Sequence, residues 1–343
     1  MLRNIVYKRE FSEEGVYAGD NVILTETVYN RGYFPLFWVD IEAYYFSELK
    51  LEGYENIKHG DMQHFVSRFN LMPYMQIRRS HIIRCEARGF YQLKTAAIYN
   101  SFFSIYLESP AEIYVYPKPV SLNIYDLATG RLQGELLSQR RIYNEPFSFS
   151  GIRDYHFGDP MSQINFKASA RFPIGLSGAI TLKVNNRDFC ATRRIMIFLD
   201  IGRPVSSGLI EKEYYMLVER GLSYIASIVS DGIYAGFAIG FATNCRGIDG
   251  SIYLRLGCES GEAHMLDILK SMALLRPREG AAFSSLLEKE ISYGFSYVEY
   301  IIFMIDADKK VAKHMDTLER QGNSVKIIPL EINEDIGDED NII

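Results

Sequence analysis

Apolar and polar residues alternate through the first third of the chain, a period that predicts β-strands. Residues 37–43 form one such run, and its predicted buried face consists of Phe37, Val39, Ile41 and Ala43. Residues 65–71 form another run, which Pro73 closes. Further predicted strands between turn signals are 22–29, 76–86, 89–97 and 112–116. Because these strands follow one another without a helical pattern, we predict an antiparallel β-sandwich.

Strand and helix patterns alternate in the last third of the chain. Apolar runs predict strands at 194–200, 234–242, 251–256, 297–305 and 325–330. Apolar residues at helical spacing predict helices at 211–230, 262–275, 283–291 and 309–321, with Gly322 as the last C-terminal cap. This order predicts a doubly wound, mostly parallel sheet with helices on both faces, and 251–256 is predicted to be antiparallel to 234–242.

The boundary between these two regions is predicted at Pro117-Lys118-Pro119, where two prolines stiffen the chain. We therefore predict a β-sandwich domain at 1–117 and a connecting segment at 118–190. An α/β domain follows at 191–331, and an acidic tail at 332–343. The fold class predicted is all-β followed by α/β.

Composition and charge narrow the functional classes. The chain has 343 residues, 48% of them hydrophobic, and a net charge of −6. This charge provides no basic field, so a nucleic-acid partner is not expected. The longest uncharged run, 232–245, is shorter than the roughly 20 residues of a membrane-spanning helix. The cysteines form no CxxC pair, which favours a reducing compartment, and we predict a soluble, cytoplasmic protein.

Motifs of the common enzyme classes are missing from the sequence. The six histidines show no metalloprotease spacing, and neither a Gly-x-Ser-x-Gly elbow nor a phosphate-binding loop occurs. We therefore predict no catalytic residue and no enzymatic activity.

Two acids follow predicted strands of the α/β region, Asp200 after the first and Asp306 after the fourth. Ligands of open α/β sheets bind beyond the carboxyl ends of the strands, and paired carboxylates suit a hard divalent cation. This arrangement resembles the von Willebrand factor A-like domain, whose metal site uses an Asp-x-Ser-x-Ser loop, a threonine and a final aspartate.

The metal-site loop departs from that pattern. Gly202 and Pro204 stand at the serine positions with Arg203 between them, and 279–283 contains no threonine. The resemblance thus implies a degenerate metal-site rim, which consists of Asp200, Gly202, Pro204, Ser206 and Asp306. We predict no cofactor. The alternative is Mg²⁺ held by Asp200 and Asp306 in a metal-dependent binding module or hydrolase, with Ser206 and Ser207 replacing the missing hydroxyls.

Charged and aromatic residues are interleaved in the signature segment, residues 151–171. One interpretation is a clamp within the protein, in which Asp159 pairs with Arg153 or Arg171. The other is a surface that docks a partner. We favour the clamp, because the planar fork of arginine suits bidentate pairing with a carboxylate.

The signature segment closely resembles that of a bacterial family catalogued as domain of unknown function 58. The matching residues are Arg153, Tyr155, Gly158, Asp159, Pro160, Ile164, Lys167, Ala168, Ser169, Ala170 and Arg171, while Phe166 stands where the family usually has tryptophan. Arg88-Gly89-Phe90-Tyr91 and Val115-Tyr116-Pro117 also resemble the family. The resemblance extends over nearly the whole chain and implies a sandwich followed by a von Willebrand A-like domain.

The resemblance also implies a role. Family members are often encoded beside MoxR-type AAA+ ATPases, and many carry two membrane helices ahead of the sandwich. The expected function is therefore that of a non-enzymatic adaptor for a protein partner, in particular a MoxR-type ATPase. Membrane association is the alternative location that the family implies.

Overall fold

The structure is a computed structural model that describes residues 4–53, 57–59, 62–99, 104–120, 149–154, 164–169, 182–187, 193–202, 211–245, 252–277, 281–305 and 309–330. The chain is mixed α/β with much sheet. It divides into two compact units, of which the first combines Met1–Leu122 with Arg194–Ile343 and the second is Asn123–Arg193.

The N-terminal part of the first unit is built from strands. They are β1 (Ile5–Phe11), β2 (Gly15–Tyr17), β3 (Asn21–Asn30), β4 (Leu36–Phe46), β5 (Leu49–Leu51), β6 (Ile57–His59), β7 (Met62–Leu71), β8 (Gln76–Cys85), β9 (Gly89–Tyr99) and β10 (Ser104–Tyr116). One sheet has the order β1-β3-β8-β5, and the other has the order β2-β10-β9-β4-β7-β6. Neighbouring strands pair antiparallel, except that β2 pairs parallel with β10.

The two sheets share one hydrophobic core. Every second residue of a strand contributes to it, as Val39, Ile41 and Ala43 do from β4. The predicted inward position of Phe37 is wrong, because its side chain is 52% exposed. The register of β4 against β7 shifts between Leu36 and Val39, and this bulge interrupts the alternation at Phe37.

A buried arginine connects the two sheets. Arg9 on β1 is 2% exposed, and its Nη2 donates to the carbonyl oxygen of Ser109 at 2.7 Å. The register of β10 shifts between Glu108 and Ala111, so the ladder is interrupted beside this carbonyl. Arg9 thus supplies a donor to a backbone oxygen that the bulge removes from regular pairing.

The C-terminal part of the first unit alternates strands and helices. Its elements are β13 (Arg194–Leu199), α2 (Glu211–Tyr234), β14 (Ala238–Thr243), β15 (Leu254–Glu259), α3 (Glu262–Leu274), α4 (Phe283–Ser292), β16 (Val298–Met304), α5 (Lys309–Arg320) and β17 (Ser324–Pro329). The sheet order is β15-β14-β13-β16-β17. All pairs are parallel except β14 with β15, as predicted.

Helices cover both faces of this sheet. Met196 and Phe198 of β13 share a core with Phe283 and Leu286 of α4. Leu199 points to the other face of the sheet, where α2 packs. A Cβ atom added to Gly221 of α2 would lie 3.1 Å from Cδ1 of Leu199, so the helix is close to the sheet here. Odd and even positions of β13 therefore face different helices, which explains its continuous apolar run.

Several predicted boundaries are wrong. The strand predicted at 251–256 is β15 at Leu254–Glu259, and the strand predicted at 112–116 is the end of the longer β10. Residues 234–237 were predicted to begin a strand, but α2 continues to Tyr234 and β14 begins only at Ala238. Ile233 is still buried by the helix, and Gly236 then reverses the chain with φ of 82°. A left-handed glycine is the usual end of a helix, and Gly322 (φ 86°) follows α5 in the same way, as predicted.

The second unit contains β11 (Phe149–Asp154), α1 (Phe166–Ser169) and β12 (Lys183–Arg187). β11 and β12 pair antiparallel, and Ile164 forms a further bridge with Val184. The predicted domain boundaries remain predictions. Within the residues described for both units, no helix has the length and apolar character that crossing a membrane requires.

Candidate functional site

Asp200 lies at the carboxyl edge of the parallel sheet. Its backbone N–H donates to the carbonyl oxygen of Phe303 in β16 at 2.8 Å, so the residue extends the end of β13. Leu199 is paired with Thr243 of β14, and this register places Asn244 opposite Asp200. Parallel strands thus bring together two polar residues that are distant in the sequence.

The carboxylate of Asp200 is held by nitrogen donors. Its Oδ1 accepts hydrogen bonds from the backbone N–H of Gly202 and from Nδ2 of Asn244, both at 2.8 Å. A Cβ at position 202 would lie 2.9 Å from the same oxygen. Gly202 therefore allows the chain to turn back closely onto the acid that precedes it.

Asn244 joins three chain segments at this edge through hydrogen bonds. Its Oδ1 accepts from the N–H of Ile201 at 2.9 Å, and its Nδ2 also donates to the carbonyl of Ala281 at 3.1 Å. The N–H of Ala281 returns a bond to the carbonyl of Asn244 at 3.0 Å. Asn244 is fully buried. Sequence reasoning missed this residue, although a polar side chain directly after a buried strand was a usable signal.

Burial dominates the electrostatics of Asp200. It raises the pKa of the carboxyl group, and the hydrogen bonds from Gly202 and Asn244 oppose this rise. The folded environment therefore favours the neutral acid more than water does.

The described part of the metal-site rim does not fit a magnesium ion. Mg²⁺ requires near-ideal octahedral coordination by oxygen. Gly202 offers no side-chain oxygen, and Asn244 turns its amide nitrogen, not its oxygen, toward Asp200. Within the described ranges, no group of three His, Cys, Asp or Glu side chains could hold a metal. Pro204, Ser206 and Asp306 lie outside those ranges, so their part in the rim remains a prediction.

We expect Asp200→Asn to stabilise the protein at neutral pH. The folded-state pKa of Asp200 is raised above the ordinary value of 3.8, so the contribution of Asp200 to stability is largest at a pH below 3.8. This contribution is lost as the pH rises through the folded-state pKa. An asparagine keeps the acceptor oxygen without the buried charge. Urea denaturation at pH 7 should show a higher midpoint for the variant, and the difference should shrink toward pH 3.8.

Asp40→Asn is the matched control, because its pKa shift has the opposite sign. Hydrogen bonding to Arg68 lowers the pKa of Asp40, so its stability is present at neutral pH and is lost on acidification. This variant should have a lower midpoint than the parent protein at pH 7. A destabilised Asp200→Asn variant at pH 7 would contradict the described environment of Asp200.

The signature segment is described only in part. Arg153 belongs to β11, and Lys167 is exposed on α1. Ser169 is buried, and its Oγ donates to the carbonyl of Asn165 at 2.9 Å and accepts from the N–H of Lys183 at 2.8 Å. Ser169 therefore fastens α1 to β12. Tyr155, Gly158, Asp159 and Arg171 lie outside the described residues, and the choice between clamp and docking surface remains a prediction.

An arginine paired with a carboxylate, the contact predicted for the signature segment, occurs at Arg88 between β8 and β9. Its Nε donates to Glu219 Oε2 on α2 at 2.9 Å, and its Nη2 donates to Oε1 of the same carboxylate at 2.5 Å. Its Nη1 donates to the carbonyls of Met272 and Leu275, at 2.6 and 2.7 Å, where α3 ends. The Arg88 side chain is 6% exposed. We call this contact the Arg88 junction.

Further polar contacts join the same two parts of the first unit. Ser227 Oγ on α2 donates to the carbonyl of Val120 at 2.6 Å and accepts from its N–H at 2.8 Å. Lys270 Nζ on α3 lies 5.5 Å from the ring centre of Tyr114 on β10. The strand-rich part and the α/β part are thus joined by contacts that sequence reasoning did not identify.

No family model matches the chain, and no curated protein matches it. Similar solved structures include the alkylpurine DNA glycosylase AlkC of Pseudomonas fluorescens, bound to DNA that contains an abasic site analogue. The two chains are 16% identical, with a TM-score of 0.23, and the match covers 33% of this chain and 30% of that chain. The CARDB domain of PF1109 from Pyrococcus furiosus is 13% identical with a TM-score of 0.23, over 32% of this chain and 86% of that domain.

A third similar structure is the β-glucosidase EmGH1 of Erythrobacter marinus, which is 10% identical with a TM-score of 0.20 over 31% of this chain and 15% of that enzyme. The chain therefore spans about a third of the glycosylase and a smaller share of the glucosidase. Similarities at this level carry no argument about the function of the chain.

Proposed function

We propose that the chain is a non-enzymatic adaptor that binds a protein partner at the carboxyl-end loops of its α/β sheet, residues 200–207 and 306–309. The observation that carries the proposal is the pair of nitrogen donors on Asp200 Oδ1, from Gly202 and Asn244. Both donors use the same one of the two carboxylate oxygens, so at most the other is left for a cation or a reacting group. Loops at this edge can vary without disturbing the strands, which suits recognition.

Our proposal for the architecture is an antiparallel β-sandwich followed by a von Willebrand A-like domain, in a member of the domain of unknown function 58 family. The shared core of the N-terminal sheets supports the first part. The parallel order β14-β13-β16-β17, with β15 antiparallel at the edge, supports the second. The family resemblance of the signature segment makes a MoxR-type AAA+ ATPase the proposed partner.

Metal titration tests the non-metal part of the proposal. Calorimetric titration of the whole chain with Mg²⁺ and with Mn²⁺ should show no binding at micromolar to low millimolar concentrations. Tight binding that Asp200→Ala abolishes would contradict the proposal and favour the metal-dependent module or hydrolase that uses Asp200 and Asp306.

Capture of the ATPase tests the adaptor part. The purified chain should retain a MoxR-type ATPase from the same genome, and Arg203→Glu, a charge reversal in the proposed binding loop, should weaken capture at least tenfold. Lys94→Glu is the control, since Lys94 is exposed on β9 of the strand-rich part. Equal capture by both variants would contradict binding at the carboxyl-end loops.

A further inference from the structure

Two neighbouring loops of the strand-rich part expose a group of large apolar side chains. Some of these residues lie in the β3–β4 connection and at the start of β4, and the others lie in the β7–β8 turn. Each of them is between 41% and 78% exposed. We call this surface the aromatic tip, and its members are Tyr33, Phe34, Phe37, Trp38, Met72, Tyr74 and Met75. Single exposed apolar residues are ordinary, but a group on two adjoining loops marks a binding surface.

Asn30 holds the two loops together as one surface. Its Nδ2 donates to the carbonyl of Phe34 at 2.9 Å in the first loop and to that of Met72 at 3.1 Å in the second. Its backbone N–H donates to the carbonyl of Met75 at 3.0 Å. The rings of Tyr33 and Tyr74 meet edge to face with centroids 5.4 Å apart. The aromatic tip is therefore a built surface that includes residues from both loops.

The backbone of the tip is strained at two aromatic residues. Trp38 has φ of 51° and Tyr74 has φ of 57°, a region that is unfavourable for a bulky side chain. The N–H of Trp38 is held by Asn70 Oδ1 at 2.9 Å, within the β4 bulge. Trp38 remains 66% exposed in this conformation. Strain that keeps aromatic rings in solvent is unfavourable for the isolated fold and indicates a role in binding.

The chain segments that form the tip carry only basic charges. Residues 27–39 and 68–80 contain Arg31, Arg68, Arg78 and Arg79 and no acidic residue, although the whole chain carries −6. Arg68 is paired with Asp40, and Arg78 lines a groove that also contains several glutamates, whereas Arg31 is exposed beside the tip. A surface of apolar rings with a basic margin is complementary to a surface of apolar chains with an anionic margin.

We propose that the aromatic tip binds the interface of an anionic lipid bilayer. Tyrosine and tryptophan rings suit the headgroup level, where one end of the ring is apolar and the other is hydrated. Arg31 attracts the phosphates of anionic lipids. A second copy of the chain, joined through a twofold contact, is the competing occupant. The proposal is independent of partner binding at the carboxyl-end loops.

Trp38 makes this proposal directly measurable, since it is the single tryptophan of the chain. We expect its fluorescence to shift to the blue when the whole chain is titrated with phosphatidylcholine vesicles that contain about a quarter phosphatidylglycerol. Pure phosphatidylcholine vesicles should bind at least tenfold more weakly. No shift with anionic vesicles, or equal binding to both kinds of vesicle, would overturn the proposal.

Variants that keep Trp38 separate the apolar and charged contributions. Tyr33→Ser/Phe34→Ser should weaken vesicle binding at least tenfold, and Arg31→Ala should weaken it about fivefold in low salt. Tyr234→Ser is the matched control, because Tyr234 is 75% exposed at the end of α2, and its binding should equal that of the parent. Loss of binding in this control would overturn the assignment to the tip.

Sedimentation without lipid tests the competing occupant. The parent chain should remain at the same mass as the Tyr33→Ser/Phe34→Ser variant at all concentrations used for the vesicle titration. Concentration-dependent association of the parent that this variant abolishes would assign the tip to a second copy of the chain and would overturn the lipid proposal.

Discussion

Replacing Arg88 with alanine is expected to lower the free energy of unfolding by about 3–5 kcal/mol and the Tm by roughly 10 °C. The side chain is 6% exposed and joins the strand-rich part to α2 and α3. Its removal leaves the carbonyls of Met272 and Leu275 without the donor that now holds them. Thermal and urea denaturation, followed by circular dichroism, measure both quantities. Because the junction links two parts of the unit, the variant should also unfold over a broader transition.

Glu219→Ala is the control for this prediction. The Glu219 side chain is 45% exposed, so water replaces much of what it loses, and Arg88 keeps its two carbonyl acceptors. The buried Arg88 cation then loses its counter-ion but keeps both carbonyl acceptors, so we expect an intermediate loss of about 2 kcal/mol. Arg88→Lys should recover less than half of the alanine effect, since an ammonium cannot bind a carboxylate and two carbonyls in one plane. Equal stability of Arg88→Ala and the parent chain would contradict the junction.

Arg255→Ala is expected to destabilise the protein by about 3–5 kcal/mol at pH 7. Arg255 on β15 donates from Nε to Glu290 Oε2 on α4 at 2.7 Å and from Nη2 to Oε1 at 3.1 Å. The Glu290 side chain is 1% exposed, so removal of the cation leaves a buried carboxylate without its counter-ion. The guanidinium also lies 4.9 Å from the ring centre of Tyr293. Urea denaturation gives the free energy directly.

A second substitution separates lost charge pairing from lost packing. In the Arg255→Ala background, Glu290→Gln removes the uncompensated charge and keeps an acceptor for the hydroxyl of Tyr300, which now donates to Glu290 at 3.3 Å. The double variant should therefore regain about 1–2 kcal/mol. Lys8→Ala, in an exposed pair with Glu10, is the matched control and should change stability by less than about 0.5 kcal/mol. A double variant less stable than Arg255→Ala would contradict a charge-based cause.

Secondary structure could largely be predicted because its signal is local. The predicted helices at 262–275 and 283–291 correspond to α3 and α4, and the predicted strand at 76–86 corresponds to β8. Each depends on a periodic burial pattern within a few neighbouring residues. Some failures occurred where the period was interrupted, at the β4 bulge beside Phe37 and at the late end of α2. The strand β1 was not predicted although its burial alternates regularly, and the three-residue strands β2, β5 and β6 were also not predicted. A bulge depends on the partner strand, which the local pattern does not specify.

The candidate site could be predicted only in part. Asp200 was found because an acid after a buried strand has a known position at the edge of a parallel sheet. Its partner Asn244 was missed, because their contact depends on the pairing of Leu199 with Thr243. The Arg88 junction was missed for a similar reason. The sequence predicted an arginine–carboxylate clamp within residues 151–171, which remains a prediction, and it contained no local signal for the pairing of Arg88 with Glu219.

By itself, the sequence determined where most strands and helices lie, that one sheet is mostly parallel, and that Asp200 ends a buried strand, since all of these follow from periodicity and composition. Only the tertiary structure decided which polar groups meet. Asn244 and Asp200 are 44 positions apart, and Arg88 and Glu219 are 131 positions apart. Strand order and register set such distances, and they arise from the packing of the whole core, so no local pattern of residues encodes them.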